Sequence, residues 1–214
     1  MMTSGFGSFD APSLQKATVG KLAYVYPRIE TFREGWSGEC SPRDMELMFQ
    51  MIYLYSLRPR FNSDALSASL TQMRAFVQNS LLDPSNAFDD TLDHIVYNHH
   101  PLKTGLRPED LDGVSLEQVE RIFRDRFGDY DDFSFCIVGN FDEAQLRQYC
   151  EVYLANLPTL KRKDKIRDPK VKSFTGKKEV RFNKGSERGF VSNVSLGKAE
   201  FSAAELLGVN ALSI

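Results

Sequence analysis

The chain has 214 residues, 42% hydrophobic and 26% charged, with a net charge of −2, a composition that sets it apart from disordered and membrane-spanning chains. The charge is uneven: residues 161–188 hold 12 Lys/Arg against 4 Asp/Glu, so the remainder is acidic. Only Phe174 and Phe182 interleave with that basic run, too few for a nucleic-acid stacking platform, and the run reads as a solvated linker.

The three cysteines, Cys40, Cys136 and Cys150, form no C-x-x-C pair, which excludes a zinc knuckle or redox motif. Cys136 and Cys150 are expected as small buried hydrophobes. No membrane-spanning run exists, and residues 1–9 carry neither the basic nor the apolar region of a signal peptide. Periplasm and cytoplasm stay equally open.

Along the chain, Lys21 to Phe32 reads as an edge or interrupted strand, because β-branched and aromatic residues surround Pro27. Ser41 and Pro42 predict a capped helix from Pro42 to about Leu57. Met45, Met48, Phe49, Ile52 and Tyr55 make one apolar stripe, and Leu47, Met51 and Leu54 a second, so this helix belongs in a core. Arg58-Pro59 ends it. Asp64 to Leu82 predicts a second helix with Leu66, Leu70, Met73 and Val77 on one face, and Asn86 to Tyr97 a third. Ser115 and Gln118 make a capping box for a helix through Val119, Ile122, Phe123 and Phe127. Phe133 to Val138 is the clearest predicted strand, with Phe133, Phe135 and Ile137 facing the helices. A helix over Asp142 to Leu154 follows.

Residues 1–160 are thus expected as one domain, 161–177 as a basic linker, and 178–214 as the start of a second. Glu179 to Asn183 and Gly189 to Leu196 read as strands, and a helix begins near Ser202. Val191, Val194, Leu206, Leu207 and Val209 lack a partner in sequence. Residues 178–214 are therefore expected either to form a homodimer contact or to be highly mobile.

Candidate sites are few. His94, His99 and His100 lie near Asp89, Asp90 and Asp93, but a surface helix end with loop histidines describes them better than a zinc site. Val138-Gly139-Asn140 and Gly176-Lys177-Lys178 lack the flanking pattern of a phosphate-binding loop. Glu46, Glu109 and Glu117 sit at helix starts, where the helix dipole favours a carboxylate. No catalytic, cofactor-binding or metal-ligating residue is assigned.

The order of several short motifs nevertheless carries a resemblance. Ser8-Phe9, Leu14 and Gly20-Lys21 open it. Gly35-Trp-Ser-Gly38, Asp44-Met-Glu46, Gln50 and Pro59-Arg60 continue it. His100-Pro101, Glu109-Asp-Leu111, Arg126-Phe127, Asp132-Phe-Ser-Phe-Cys-Ile-Val-Gly-Asn140 and Tyr153 to Pro158 complete it. In this order they resemble the non-catalytic C-terminal half of the pitrilysin and insulin-degrading-enzyme family of zinc metallopeptidases (inverzincins). In a catalytic half, the comparable early helix carries H-x-x-E-H, two zinc ligands with the general base between them. Here that helix has no histidine.

The resemblance implies an α/β (α+β) fold, an antiparallel-rich sheet with helices packed on one side. It also implies a domain that helps enclose and position an extended peptide, which can add as a strand to a sheet edge. The catalytic half, on the same or a partner chain, supplies the zinc. A non-proteolytic assembly subunit of the same ancestry is the alternative, and neither nucleic acid nor a membrane span is implied.

Overall fold

The computed structural model describes residues 4–162, 165, 167–181, 183, 189–197 and 202–211. The chain forms two compact units, one from 1–79 and 106–169, the other from 80–105 and 170–214.

The first unit is built on a hairpin and a helix. Strands β1 (Ala23–Ile29) and β2 (Glu34–Cys40) pair antiparallel, with Val25 opposite Gly38 and Pro27 opposite Trp36. Gly38 is required by close approach, since a Cβ there would lie 2.4 Å from the Tyr24 carbonyl oxygen. The hairpin leads directly into the predicted long helix. Ser41 accepts the Asp44 N–H through Oγ at 3.3 Å, a 3₁₀ turn forms over Pro42–Asp44, and the α-helix runs Met45–Leu57. A preceding short helix, α1 (Ala11–Ala17), makes this one α2.

Asp44 ties the two elements together. Its buried carboxylate accepts the Leu22 N–H at 2.9 Å and the Ser41 hydroxyl at 2.7 Å, with the Lys21 ammonium 3.5 Å away. The core of this unit gathers Phe6, Val25, Met51, Ile52, Tyr55, Tyr130 and Leu157, with Trp36, Met48, Phe133 and Leu154 packed against it. Both predicted stripes of α2 therefore serve the interior.

The predicted helices form. They are α3 (Ser63–Leu82), α4 (Pro84–Val96), α5 (Leu116–Arg126) and α6 (Glu143–Tyr149), the last continued by a π-helical turn over Cys150–Leu154. Ser115 and Gln118 complete the expected capping box of α5, which buries Phe123 and leads to the buried Phe127. On α3, Leu66 and Leu70 are half-buried and Val77 is buried, but Met73 is exposed, so the expected stripe is narrower than its spacing suggested.

The architecture is mixed α/β with an antiparallel sheet against helices, as expected. The strand expected at Phe133–Val138 is the exception. Among the described residues it joins no ladder. Phe133 and Ile137 are half-buried, but Phe135 is 39% exposed and Val138 90% exposed. Cys136, expected to be buried here, is exposed as well, while Cys150 is half-buried. A strand is stabilised by its neighbours, and this segment faces an open groove where a neighbour would lie.

In the second unit, Asp83 caps α4, which buries Ala87 and Val96. Within that unit the Phe174 N–H donates to the Val96 carbonyl at 2.9 Å, Asn98 Nδ2 donates to the Lys172 carbonyl at 3.1 Å, and Phe88 meets Phe190 at 5.6 Å between ring centres. The described parts of the strands expected over Glu179–Asn183 and Gly189–Leu196 form no ladder; Phe182 lies outside the described residues. The helix expected near Ser202 forms as α7 (Ala203–Ala211), and Val191, Val194, Leu206, Leu207 and Val209 are all exposed. No helix among the described residues is long and apolar enough to cross a membrane.

Candidate functional site

The first unit carries an open groove of about 1340 Å³. The hairpin forms one wall, from Arg28 through the turn to Gly38, and residues 132–137 form the other. Met48, Phe49 and Ile52 of α2, with Leu154, are the apolar side chains lining it between those walls. Lys165 and Arg167 stand at its margin.

The hairpin wall is held by a buried hydrogen-bond junction. Trp36 Nε1 donates to the Tyr130 hydroxyl at 3.0 Å, and that hydroxyl also pairs with Ser56 Oγ. Burial pushes the Tyr130 phenol above its ordinary range, so it stays protonated. Trp36 also packs on Phe127, with ring centres 4.9 Å apart. Asp129 fixes the chain that leaves the groove: its carboxylate accepts the N–H groups of Leu160 and Arg162, each at 2.8 Å, and of Asp131 at 3.2 Å. The Leu160 N–H foremost, with the other two, holds that carboxyl below the ordinary carboxylate range.

Most of the charge lining the groove is internally paired. Arg28 meets Glu30 at 2.6 Å, Arg126 meets Glu34 at 3.4 Å, and Arg162 meets Asp125 at 2.9 Å. Lys165 and Arg167 make no ion pair among the described residues, and neither does Asp132.

Where the resemblance would place zinc ligands, α2 offers a different donor set. Glu46 Oε1 accepts the Tyr153 hydroxyl at 2.8 Å and Gln50 Nε2 at 3.4 Å. One carboxylate, an amide and a phenol do not fit zinc, which takes imidazole, thiolate and carboxylate ligands in a closed tetrahedron. Burial foremost pushes the Tyr153 phenol up, so it remains a neutral donor. The aromatic rings of Phe49, Tyr53 and Tyr149 surround that tyrosine.

The histidine candidates belong to the second unit. His94 and His99 meet through their Nδ1 atoms at 2.8 Å, with Asp90 Oδ1 3.8 Å from His94 Nε2. His100 Nδ1 instead accepts the Leu102 N–H at 3.2 Å. Among the described residues no three His, Cys, Asp or Glu side chains are placed to hold a metal. Glu117 lies in the first turn of α5 and Glu109 in the 3₁₀ turn Pro108–Leu111. Burial raises the Cys40 and Cys150 thiols, which makes them poor nucleophiles.

Sequence reasoning missed β2, and with it one wall of the groove. Gly35 and Gly38 suppress its strand signal; the alternative signal was Trp36, a large aromatic between two glycines that needs a partner for both its ring and its N–H.

A hairpin on a capped helix beside an open groove defines an α/β domain. No family model and no curated protein matches the sequence. Among solved structures, the fold is similar to the periplasmic protease PqqL from Escherichia coli, with a TM-score of 0.59 and 20% identity. It is also similar to a mutant of the ferredoxin protease FusC in complex with Arabidopsis ferredoxin, with a TM-score of 0.57 and 15% identity. Each match covers 73% of this chain but only 17% of the other. At these identities the likeness is one of fold.

Proposed function

We propose that this chain is a non-catalytic domain of a zinc-dependent metallopeptidase, one that helps enclose and position a peptide substrate. A separate catalytic half, on the same or a partner chain, supplies the zinc, the general base and the activated water. The observation that carries this reading is α2. By the sequence resemblance it stands where a catalytic half carries H-x-x-E-H, yet it is apolar on both stripes and has no histidine. Both similar structures are proteases, and one was solved in complex with Arabidopsis ferredoxin. In this reading residues 1–160 are the domain proper, 161–177 a basic linker, and 178–214 the opening of the next domain.

Two measurements test it. The purified chain is expected to bind no stoichiometric zinc by metal analysis and to leave an unfolded protein substrate intact. Tightly bound stoichiometric zinc together with cleavage would overturn the non-catalytic assignment. The natural assembly isolated from cells is expected to cleave the same substrate in a chelator-sensitive manner. A chelator-insensitive or inert assembly would move the protein to the class of non-proteolytic assembly subunits.

A further inference from the structure

The floor of the groove is closed while the groove stands open, with Phe49 1% and Ile52 7% exposed. Whatever binds there is therefore held by the walls, and the walls are charged. Six basic side chains line the groove, Arg28, Arg33, Arg126, Arg162, Lys165 and Arg167, against four acidic ones, Glu30, Glu34, Asp125 and Asp132. The rest of the first unit has the opposite balance, 12 Lys/Arg against 17 Asp/Glu. The groove is a positive strip on an acidic unit, and a concave surface of one sign concentrates its field on an incoming ligand.

The excess can be located. Arg126 and Arg162 are balanced by Asp125 and Glu34. Arg28 and Arg33 share the single carboxylate of Glu30. Lys165 and Arg167 make no ion pair among the described residues, and Asp132 is the lining carboxylate that makes none either. The groove also offers main-chain partners. Among the described residues the N–H groups of 134–138 make no backbone hydrogen bond, and an extended peptide has carbonyls at strand spacing to meet them. A nucleic acid would match the cations but has no such alternation of donors and acceptors.

We infer, resting on the peptidase reading above, that the groove selects extended peptide segments rich in Asp and Glu. Such a segment lies along 134–138 and directs carboxylates to Arg28 and Arg33 on the hairpin and to Lys165 and Arg167 at the margin. These pairs are exposed to solvent, so each is weak, and the preference is a sum that salt screens. It is a property of docking and is measurable on this chain without a catalytic half.

Fluorescein-labelled unstructured peptides, identical except that the same positions hold Glu, Gln or Lys, test this by fluorescence anisotropy with the 214-residue chain. The Glu peptide should bind about tenfold tighter than the Gln peptide, the sum of a few weak exposed pairs, and the Lys peptide more weakly still. In about 0.5 M salt, where the screening length is only a few ångströms, the difference should vanish. Lys165→Glu combined with Arg167→Glu, both at exposed positions, should remove the preference while leaving Gln-peptide affinity and the melting temperature unchanged. Equal affinity for the Glu and Gln peptides would overturn the inference and leave the peptidase reading intact, as would a preference that survives the double substitution. A single-stranded oligonucleotide that binds tighter than the Glu peptide, and is lost in the same variant, would overturn it in favour of nucleic acid. The peptidase reading fails on a different result, a natural assembly that cleaves nothing; a Glu preference measured here would then stand as that of a peptide-binding subunit.

Discussion

Tyr24-Val25-Tyr26 in β1 and Phe133-Ser-Phe-Cys-Ile-Val138 are equally rich in strand-forming residues, yet only the first lies in a ladder. Its partner β2, Glu-Gly-Trp-Ser-Gly-Glu-Cys, is by composition the poorest strand of the three. Sequence separation explains the difference. β1 and β2 are joined by the four residues 30–33, so pairing costs little loop entropy, and α2 then covers the result. Phe133–Val138 has no neighbour within reach along the chain, and its propensity goes unused. Strand propensity measures fit to a pleated, half-buried surface, and without that surface it forms nothing.

The comparison can be broken most sharply at Phe49 of α2, whose ring packs on Tyr149 and Tyr153. Phe49→Ala should destabilise the chain by about 3–5 kcal/mol, read from the urea midpoint, because the ring is fully buried. A loss near zero would mean that α2 does not pack on Tyr149 and Tyr153 as described. Tyr130→Phe removes the hydroxyl that Trp36 Nε1 and Ser56 share and should cost about 1–3 kcal/mol, since it leaves a buried donor unmet. Unchanged stability, with unchanged Trp36 fluorescence, would refute that junction.

Acid should weaken the paired region through Asp44. The Leu22 N–H foremost, then the Ser41 hydroxyl, hold its carboxyl below the ordinary range. Its folded value is therefore below its unfolded one. The stabilisation is complete above the unfolded value of about 3.9 and is lost as pH falls through the folded value. Melting temperatures of the parent chain should drop in this window, and those of Asp44→Asn should drop less. Parallel curves would show that Asp44 is not a contributor. The smallest effect is expected on the unpaired side: Phe135→Ala should change stability by only about 0.5 kcal/mol, as for an exposed position. A loss as large as that of Phe49→Ala would mean that Phe135 is buried after all.

The same contrast shows what could be read from sequence. The helix bounds were legible because their signals are local: Ser41 and Pro42 before α2, Ser115 and Gln118 before α5, and Arg58-Pro59 after α2. α1 was not read, although Asp10 caps it through the Ser13 N–H at 2.9 Å, because seven residues carry too little periodicity. β2 was missed and Phe133–Val138 misjudged for the same reason, since pairing is decided by residues distant in sequence. The groove, being the space between those two segments, could not be read from either alone. The donor set of α2, Glu46 with Gln50 and no histidine, was legible at once, because it lies within one helix.

Pro27 gives the hairpin a direction. It sits within β1 opposite Trp36 and has no N–H, so the outer rim of β1 lacks a donor at its centre, while β2 has no proline. A sheet started here can therefore lengthen past β2 but is spoiled past β1. If two copies met at high concentration, β2 against β2, the pair would present only its two β1 rims. Stacking would end at two molecules instead of running on as a fibre.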